Sequence, residues 1–124
     1  EVMLKAMKNP NLYAIAHLEN PKFLVDYEVV VSEAAKRDIL IEINNSSNIS
    51  RAGSYGYSME VLTAVKKTGA YVCLGTDSHF SGMIGKFDYA FKLIKDSGIG
   101  TDRIINYSQK LIDKYVLSKD KHGY

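Results

Sequence analysis

The sequence of 124 residues has no tryptophan, a single cysteine and only two prolines. The lone Cys73 excludes an internal disulfide and lies in an apolar run, which indicates a buried, reduced thiol in a cytoplasmic protein. Sixteen basic residues against fourteen acidic ones leave a formal charge of +2, an excess too small to indicate nucleic-acid binding. No apolar stretch approaches the roughly 20 residues that a membrane-spanning helix needs. Nucleic acids and membranes are therefore not expected partners.

What the chain does contain is typical of a globular protein. Hydrophobic residues make up 46% of the sequence and charged residues 24%, which excludes collagen-like and disordered classes. A chain of this length buries a hydrophobic core without metal or disulfide cross-links. We therefore assign residues 1–124 to a single domain.

Short apolar runs alternate with amphipathic segments along the chain. The apolar runs predict strands over 13–16, 39–43 and 71–75, and residues 44–58 are predicted to form a polar loop. Helical spacing of apolar residues predicts helices over 2–8, 26–37, 59–67, 86–96 and 108–117. Strands that are apolar throughout and alternate with helices favour a parallel sheet covered on both faces. The predicted fold class is α/β, with about three parallel strand–helix units and terminal helices.

Helix boundaries are marked by residues that suit them. Asp26 is a candidate N-cap of the second helix, and Ser108 is placed to begin the last one. Gly69 is well placed to end the helix before the third strand, and the turn at Ser97 and Gly98 closes the next helix.

Polar side chains follow each predicted strand at its carboxyl end, where α/β folds bind ligands. They are His17 and Glu19 after the first strand, Glu42, Asn44 and Asn45 at the second, and Asp77 and His79 after the third. Imidazole and carboxylate groups on one face suit a divalent transition metal. Each residue also has a structural interpretation: His17 as a hydrogen-bonded residue, Asp77 as a turn cap, and Glu42 as a member of a buried polar pair.

The predicted loop over 44–58 is rich in serine, asparagine and glycine and carries one arginine, Arg51. One interpretation is a solvated loop. The other is an anion site, because the planar guanidinium of Arg51 matches the oxygen atoms of a phosphate group.

Several motifs, in this order, resemble the closing part of the PHP domain (polymerase and histidinol phosphatase superfamily). They are EINNSS over 42–47, Arg51 and Gly53, and LGTDSH over 74–79. The segment HLENP over 17–21 is similar to the His-Pro-Gly-Asn-Pro segment of bacterial PHP phosphatases with a trinuclear metal site. Residues 102–108 are similar to the segment that leads into the last helix of that branch. The resemblance spans nearly the whole chain.

The resemblance implies the C-terminal part of a distorted barrel of about seven strand–helix units. It implies a metal-dependent phosphoesterase in which His17, Asp77 and His79 are ligands to zinc, manganese or iron. A metal-activated water would then hydrolyse a small-molecule phosphate ester whose phosphate Arg51 binds. We expect Glu42 and Asn44 to support these ligands, and we assign no residue as the catalytic acid or base.

Two departures from the family pattern affect this expectation. Leu18 and Glu19 stand where the family has Pro-Gly, and the family's early ligands, including a His-x-His motif, have no counterpart. We therefore expect the C-terminal portion of a larger PHP protein, inactive alone. We expect its sheet edge, at 13–17, to bind the missing N-terminal half or a second copy. The alternative is a non-catalytic PHP-like module that serves protein contacts or regulation.

Overall fold

Three parallel strands form a single sheet in the order β1–β2–β3 in the computed structural model, which describes residues 1–117. The strands are β1 (Ala14–Ile15), β2 (Leu40–Asn44) and β3 (Val72–Gly75). Ala14 lies opposite Leu40, and Glu42 lies opposite Cys73. The α/β class with three parallel strands is confirmed. Because all three strands are parallel, their carboxyl ends lie at one edge of the sheet.

Helices connect and flank the strands. They are α1 (Val2–Ala6), α2 (Tyr27–Lys36), α3 (Ser47–Ser50), α4 (Ser54–Thr68), α5 (Asp88–Ser97) and α6 (Gln109–Ile112). Short 3₁₀ turns cover Ser81–Met83, Thr101–Arg103 and Ile105–Tyr107, and a π-helical turn covers Asp113–Leu117. In residues 1–117, no helix has both the length and the apolar character needed to cross a membrane. The predicted domain continues through 118–124, which lie outside the described residues.

The predicted helix boundaries follow local chemistry. The carboxylate of Asp26 accepts a hydrogen bond from the Val29 amide at 3.0 Å, as an N-cap does. Gly69 and Gly98 end α4 and α5 in the left-handed conformation, with φ of 73° and 64°. Ser108 caps α6 through its side chain. These boundary predictions are confirmed.

Two predicted boundaries are wrong in the polar segment over 44–58. It contains α3, and α4 begins at Ser54 rather than at residue 59. Ser54 and Ser58 are buried, and their hydroxyls donate to the carbonyls of Ser47 and Ser54 at 3.1 and 3.0 Å. Serines that bond to nearby carbonyls are compatible with a helix, although their composition is typical of a loop.

Two other elements are shorter than predicted. The first strand is limited to Ala14–Ile15, and the last α-helix to Gln109–Ile112. The chain beyond Ile112 continues as the π-helical turn rather than as α-helix.

The two faces of the sheet are packed unequally. Ile41 and Ile43 are buried in the main core, with side chains of α2, α4 and α5. On the opposite face, Leu40 forms a smaller cluster with Ile105 and Tyr115 of the C-terminal segment. Because side chains alternate along a strand, Glu42 belongs to this second face. The covering of that face is at the amino end of β2, away from the polar carboxyl edge.

The outer edge of β3 is occupied. The side-chain amide of Asn106 accepts from the Leu74 amide at 2.7 Å and donates to the Leu74 carbonyl at 3.2 Å. Val72 also forms an isolated parallel bridge with Ile104. Within the described sheet, β1 is therefore the edge at which a further strand would pair.

Candidate metal and anion site

A row of hydrogen bonds crosses the carboxyl edge of the sheet from β1 to β3. The His17 amide donates to Glu42 Oε2 at 2.9 Å. Asn44 Nδ2 lies 3.3 Å from the same carboxylate oxygen and 3.2 Å from Asp77 Oδ2. The structure thus brings together His17 and Asp77, which follow the two outer strands, and Glu42 and Asn44 of the central strand.

The two candidate ligands that directly follow strands have unusual backbone conformations. His17 and Asp77 have φ of 37° and 51°, in the left-handed region that residues other than glycine seldom adopt. Such a conformation costs on the order of 1–3 kcal/mol and persists only where surrounding contacts enforce it. Here the contacts from Glu42 and Asn44 reach these same two residues.

Asp77 is a carboxylate held in its charged form. The hydrogen bond from Asn44 is the main cause that lowers the pKa of Asp77 below its usual value, and the charges of Arg51 and His79 add to it. Arg51 Nη1 lies 3.5 Å from Asp77 Oδ2. Asn44 Nδ2 and Arg51 Nη1 both contact Oδ2 of Asp77, and neither contacts its Oδ1.

The imidazole of His79 contacts the backbone of Asp77. Its Nδ1 lies 2.8 Å from the backbone carbonyl oxygen of Asp77. A neutral imidazole that donates from Nδ1 to a carbonyl has its lone pair on Nε2, which is then the nitrogen that can bind a metal. His79 is exposed at this edge.

Glu42 reaches its position because Gly75 has no side chain. A Cβ atom built on Gly75 would lie 2.0 Å from Glu42 Oε1 and 3.0 Å from its Cδ. Gly75 is opposite Asn44 in the neighbouring strand. The sequence gives no signal for this close approach, which only the register of β2 and β3 creates.

A buried polar contact joins the segment after β1 to α3. Glu19 is 3% exposed, and its carboxylate accepts a hydrogen bond from the fully buried Ser47 hydroxyl. Ser47 Oγ in turn accepts from Arg51 Nη1 at 3.2 Å, and Ser50 Oγ accepts from the same nitrogen at 2.9 Å. Sequence reasoning missed Ser47, although a serine four residues before Arg51 shares its helix face.

The predicted metal ligands His17, Asp77 and His79 are not grouped as a metal site within residues 1–117. In the part of the chain that the structure describes, no three or more histidine, cysteine, aspartate or glutamate side chains are grouped so as to hold a metal ion. The imidazoles of His17 and His79 and the carboxylate of Asp77 are the donor types that zinc, manganese and iron accept. Their chemistry therefore fits such a metal, while their arrangement requires further ligands.

Known proteins supply an independent comparison. A probable phosphatase of Clostridium acetobutylicum is 42% identical over 122 residues, which are 98% of this chain and 50% of the relative. The chain resembles bacterial phosphatases. The probable phosphatase YcdX of Escherichia fergusonii is 39% identical over 109 residues, which are 87% of this chain and 44% of that protein. A probable phosphatase of Shewanella loihica is 34% identical over 124 residues.

The chain spans about half the length of the curated relatives that it matches. No protein-family model matches the sequence. The comparisons therefore show that the chain is similar to half of proteins named probable phosphatases. The activity, the metal, the substrate and the PHP assignment remain predictions.

Proposed function

We propose that this chain supplies metal and phosphate ligands to a cytoplasmic phosphatase of the PHP type, which hydrolyses small-molecule phosphate esters. The observation that carries the proposal is the row of hydrogen bonds from His17 through Glu42 and Asn44 to Asp77. It joins the candidate ligands in a chain whose relatives are named probable phosphatases.

In this proposal His17, Asp77 and His79 hold divalent zinc, manganese or iron. A bound metal ion supplies an activated water and polarises the phosphoryl oxygen. Asn44 keeps Asp77 ionised and fixes its Oδ2, so that Oδ1 is presented as a donor. The contact of His79 Nδ1 with a carbonyl orients the ring and leaves Nε2 for coordination.

Arg51 binds the phosphate of the substrate in this mechanism. Its side-chain hydrogen bonds and ion pair within residues 1–117 all use Nη1, to Ser47, Ser50 and Asp77. Nε and Nη2 therefore remain for a bidentate pair with phosphate oxygens. The side chain is 15% exposed, which strengthens such a pair relative to one in open water.

The remaining metal ligands come from outside the described residues. We propose that they belong to the half of the protein that the relatives have and this chain does not span, and that this half or a second copy pairs along β1. Because the present ligand set is incomplete, the chain alone would be catalytically deficient. The second candidate function, a PHP-like module for protein contacts or regulation, is favoured by the same incomplete set.

The first test measures metal. The purified, unchelated protein is analysed for zinc, manganese and iron per chain, beside a variant with His17, Asp77 and His79 replaced by alanine. The matched control is Asp88→Ala, which removes an exposed carboxylate at the start of α5. We expect metal that the triple variant loses and the control keeps. Equal metal in all three proteins would contradict the ligand assignment.

The second test measures activity in an assembled protein. The matching half of the Clostridium acetobutylicum relative is replaced by this chain, and hydrolysis of 4-nitrophenyl phosphate is compared with that of the unaltered relative. We expect hydrolysis that a chelator abolishes and that Asp77→Asn removes, while Asp88→Asn leaves it unchanged. A folded chimera that is inactive beside an active relative would favour the non-catalytic module.

A further inference from the structure

We propose that a cavity beside Arg51 binds a second anionic group of the substrate, through Lys22 together with Arg51. The cavity has a volume of about 460 Å³ and is lined by Asn20, Pro21, Lys22, Ser50, Arg51 and Ala52. This volume lies within the range of about 300–1,000 Å³ that is usual for small-molecule sites. The inference rests on the proposed function only in taking the first anionic group to be the phosphate that is hydrolysed.

The charge of the lining is all of one sign. Lys22 and Arg51 contribute two cations, Asn20 and Ser50 contribute neutral polar groups, and none of the lining residues within 1–117 carries a carboxylate. A groove of equal volume between α2 and α4 has a lining of mixed charge. Asp26, Glu28 and Glu60 line it beside Lys67. Of the two, the cavity beside Arg51 is therefore the one with the electrostatic character of an anion site.

One wall of the cavity is a rigid turn that begins at His17. The Asn20 amide donates to the His17 carbonyl and the Phe23 amide to the Asn20 carbonyl, both at 3.1 Å. The Lys22 amide donates to Asn20 Oδ1, also at 3.1 Å. The Pro21 ring further restricts the backbone. These bonds fix the backbone of Lys22 relative to that of His17. The Lys22 side chain is exposed and therefore accessible to a ligand.

The other wall is the end of α3, and a buried contact locks it to the first. Glu19 lies in the turn after β1 and accepts from Ser47 of α3. Ser47 also accepts from Arg51. A buried hydrogen bond thus joins the two chain segments that carry Lys22 and Arg51, and the cavity is present without a ligand.

The position of Arg51 connects the cavity to the strand edge. Its Nη1 is 3.5 Å from Asp77, and its side chain lines the cavity. A phosphate bound to Arg51 would leave the remainder of the substrate in the cavity that Lys22 also lines. The substrate class that fits is a phosphate ester with a second phosphate or a carboxylate group.

The test measures anion binding by isothermal titration calorimetry at constant ionic strength, with a chelator present. The probes are inorganic phosphate and pyrophosphate, which differ in carrying one or two anionic groups. We expect pyrophosphate to bind about tenfold more tightly, as an added charge-assisted hydrogen bond gives. Lys22→Gln should abolish this preference, and Lys8→Gln, which removes another exposed lysine, should preserve it.

Three results would overturn the proposal: no binding of either anion, equal affinities for both, or a preference that survives Lys22→Gln. Amide NMR shifts at Lys22 and Phe23 on addition of pyrophosphate give a second readout that does not depend on affinity. None of these measurements requires hydrolysis. A retained preference for pyrophosphate, together with a folded but inactive chimera, would therefore contradict the proposed function alone. Hydrolysis by the chimera without that preference would contradict this inference alone.

Discussion

Replacing Gly75 with alanine tests whether the carboxylate of Glu42 positions the candidate site. The added Cβ would lie 2.0 Å from Glu42 Oε1, whereas ordinary van der Waals contact begins at 3.4 Å. The carboxylate must therefore retreat by about 1.4 Å, the difference between these two distances. Rotation of the side chain relieves the clash, but it takes Oε2 away from the His17 amide, which now lies at 2.9 Å.

The expected cost follows from the bond that is lost. A hydrogen bond to a charged group contributes about 1.5–3 kcal/mol to the free energy of unfolding. Alanine in place of glycine within a strand raises the free energy of unfolding by roughly 0.5–1 kcal/mol, because the unfolded chain becomes less flexible. We therefore expect Gly75→Ala to destabilise the protein by about 1–2 kcal/mol.

The assay is urea unfolding followed by circular dichroism, with the same substitution made in two backgrounds. In the unaltered protein Gly75→Ala should destabilise, and in a Glu42→Ala background it should be neutral or stabilising, because the clash is absent. The coupling energy between the two positions should reach about 2 kcal/mol. A coupling energy below about 0.5 kcal/mol would refute the reasoning, since distant, independent sites add within that range.

Two further predictions concern ionisable groups. Because the folded protein lowers the pKa of Asp77 below 3.8, the ionised group stabilises the fold above the unfolded pKa, and this stability is lost as pH falls through the folded pKa. Asn44→Ala removes the main cause and should raise the pKa of Asp77 in a carboxyl carbon NMR titration; an unchanged pKa would contradict the assignment. Burial, helped by the charge of Glu42, raises the pKa of Cys73 to about 12. The thiol should react with a disulfide reagent at pH 8 only after denaturation, and rapid labelling of the native protein would show that it is accessible.

The parts of the fold that are predictable from sequence are those that local chemistry determines. Apolar runs locate all three strands, and Asp26 and Gly69 mark helix ends because their capping contacts are within a few residues. The start of α4 is not predictable in this way. Ser54 and Ser58 are buried polar residues, and only their bonds to helix carbonyls distinguish them from the serines of a loop.

The candidate site also contains some contacts that are predictable from the sequence and others that are not. The rule that parallel strands end at one edge correctly predicts that His17, Asn44 and Asp77 are neighbours. The pairing of Glu19 with Ser47 spans 28 residues, and the approach of Glu42 to Gly75 depends on strand register. Contacts of this kind are set by how the elements pack, and no periodicity or spacing in the sequence reports them.

The asymmetry of the sheet bears on how the ligand set is completed. Asn106 occupies the backbone donor and acceptor of Leu74 on the outer side of β3, so that side is closed to a further strand. The row of hydrogen bonds is anchored on the central strand by Glu42, whose carboxylate accepts a hydrogen bond from the His17 amide at the β1 end of the row. A strand that pairs along β1 in parallel, as β2 does, would therefore bring its own carboxyl end next to His17 rather than next to Asp77. If the remaining ligands arrive in this way, they extend the site from its His17 end, and the contacts that hold Asp77 to Asn44 and Arg51 need not change.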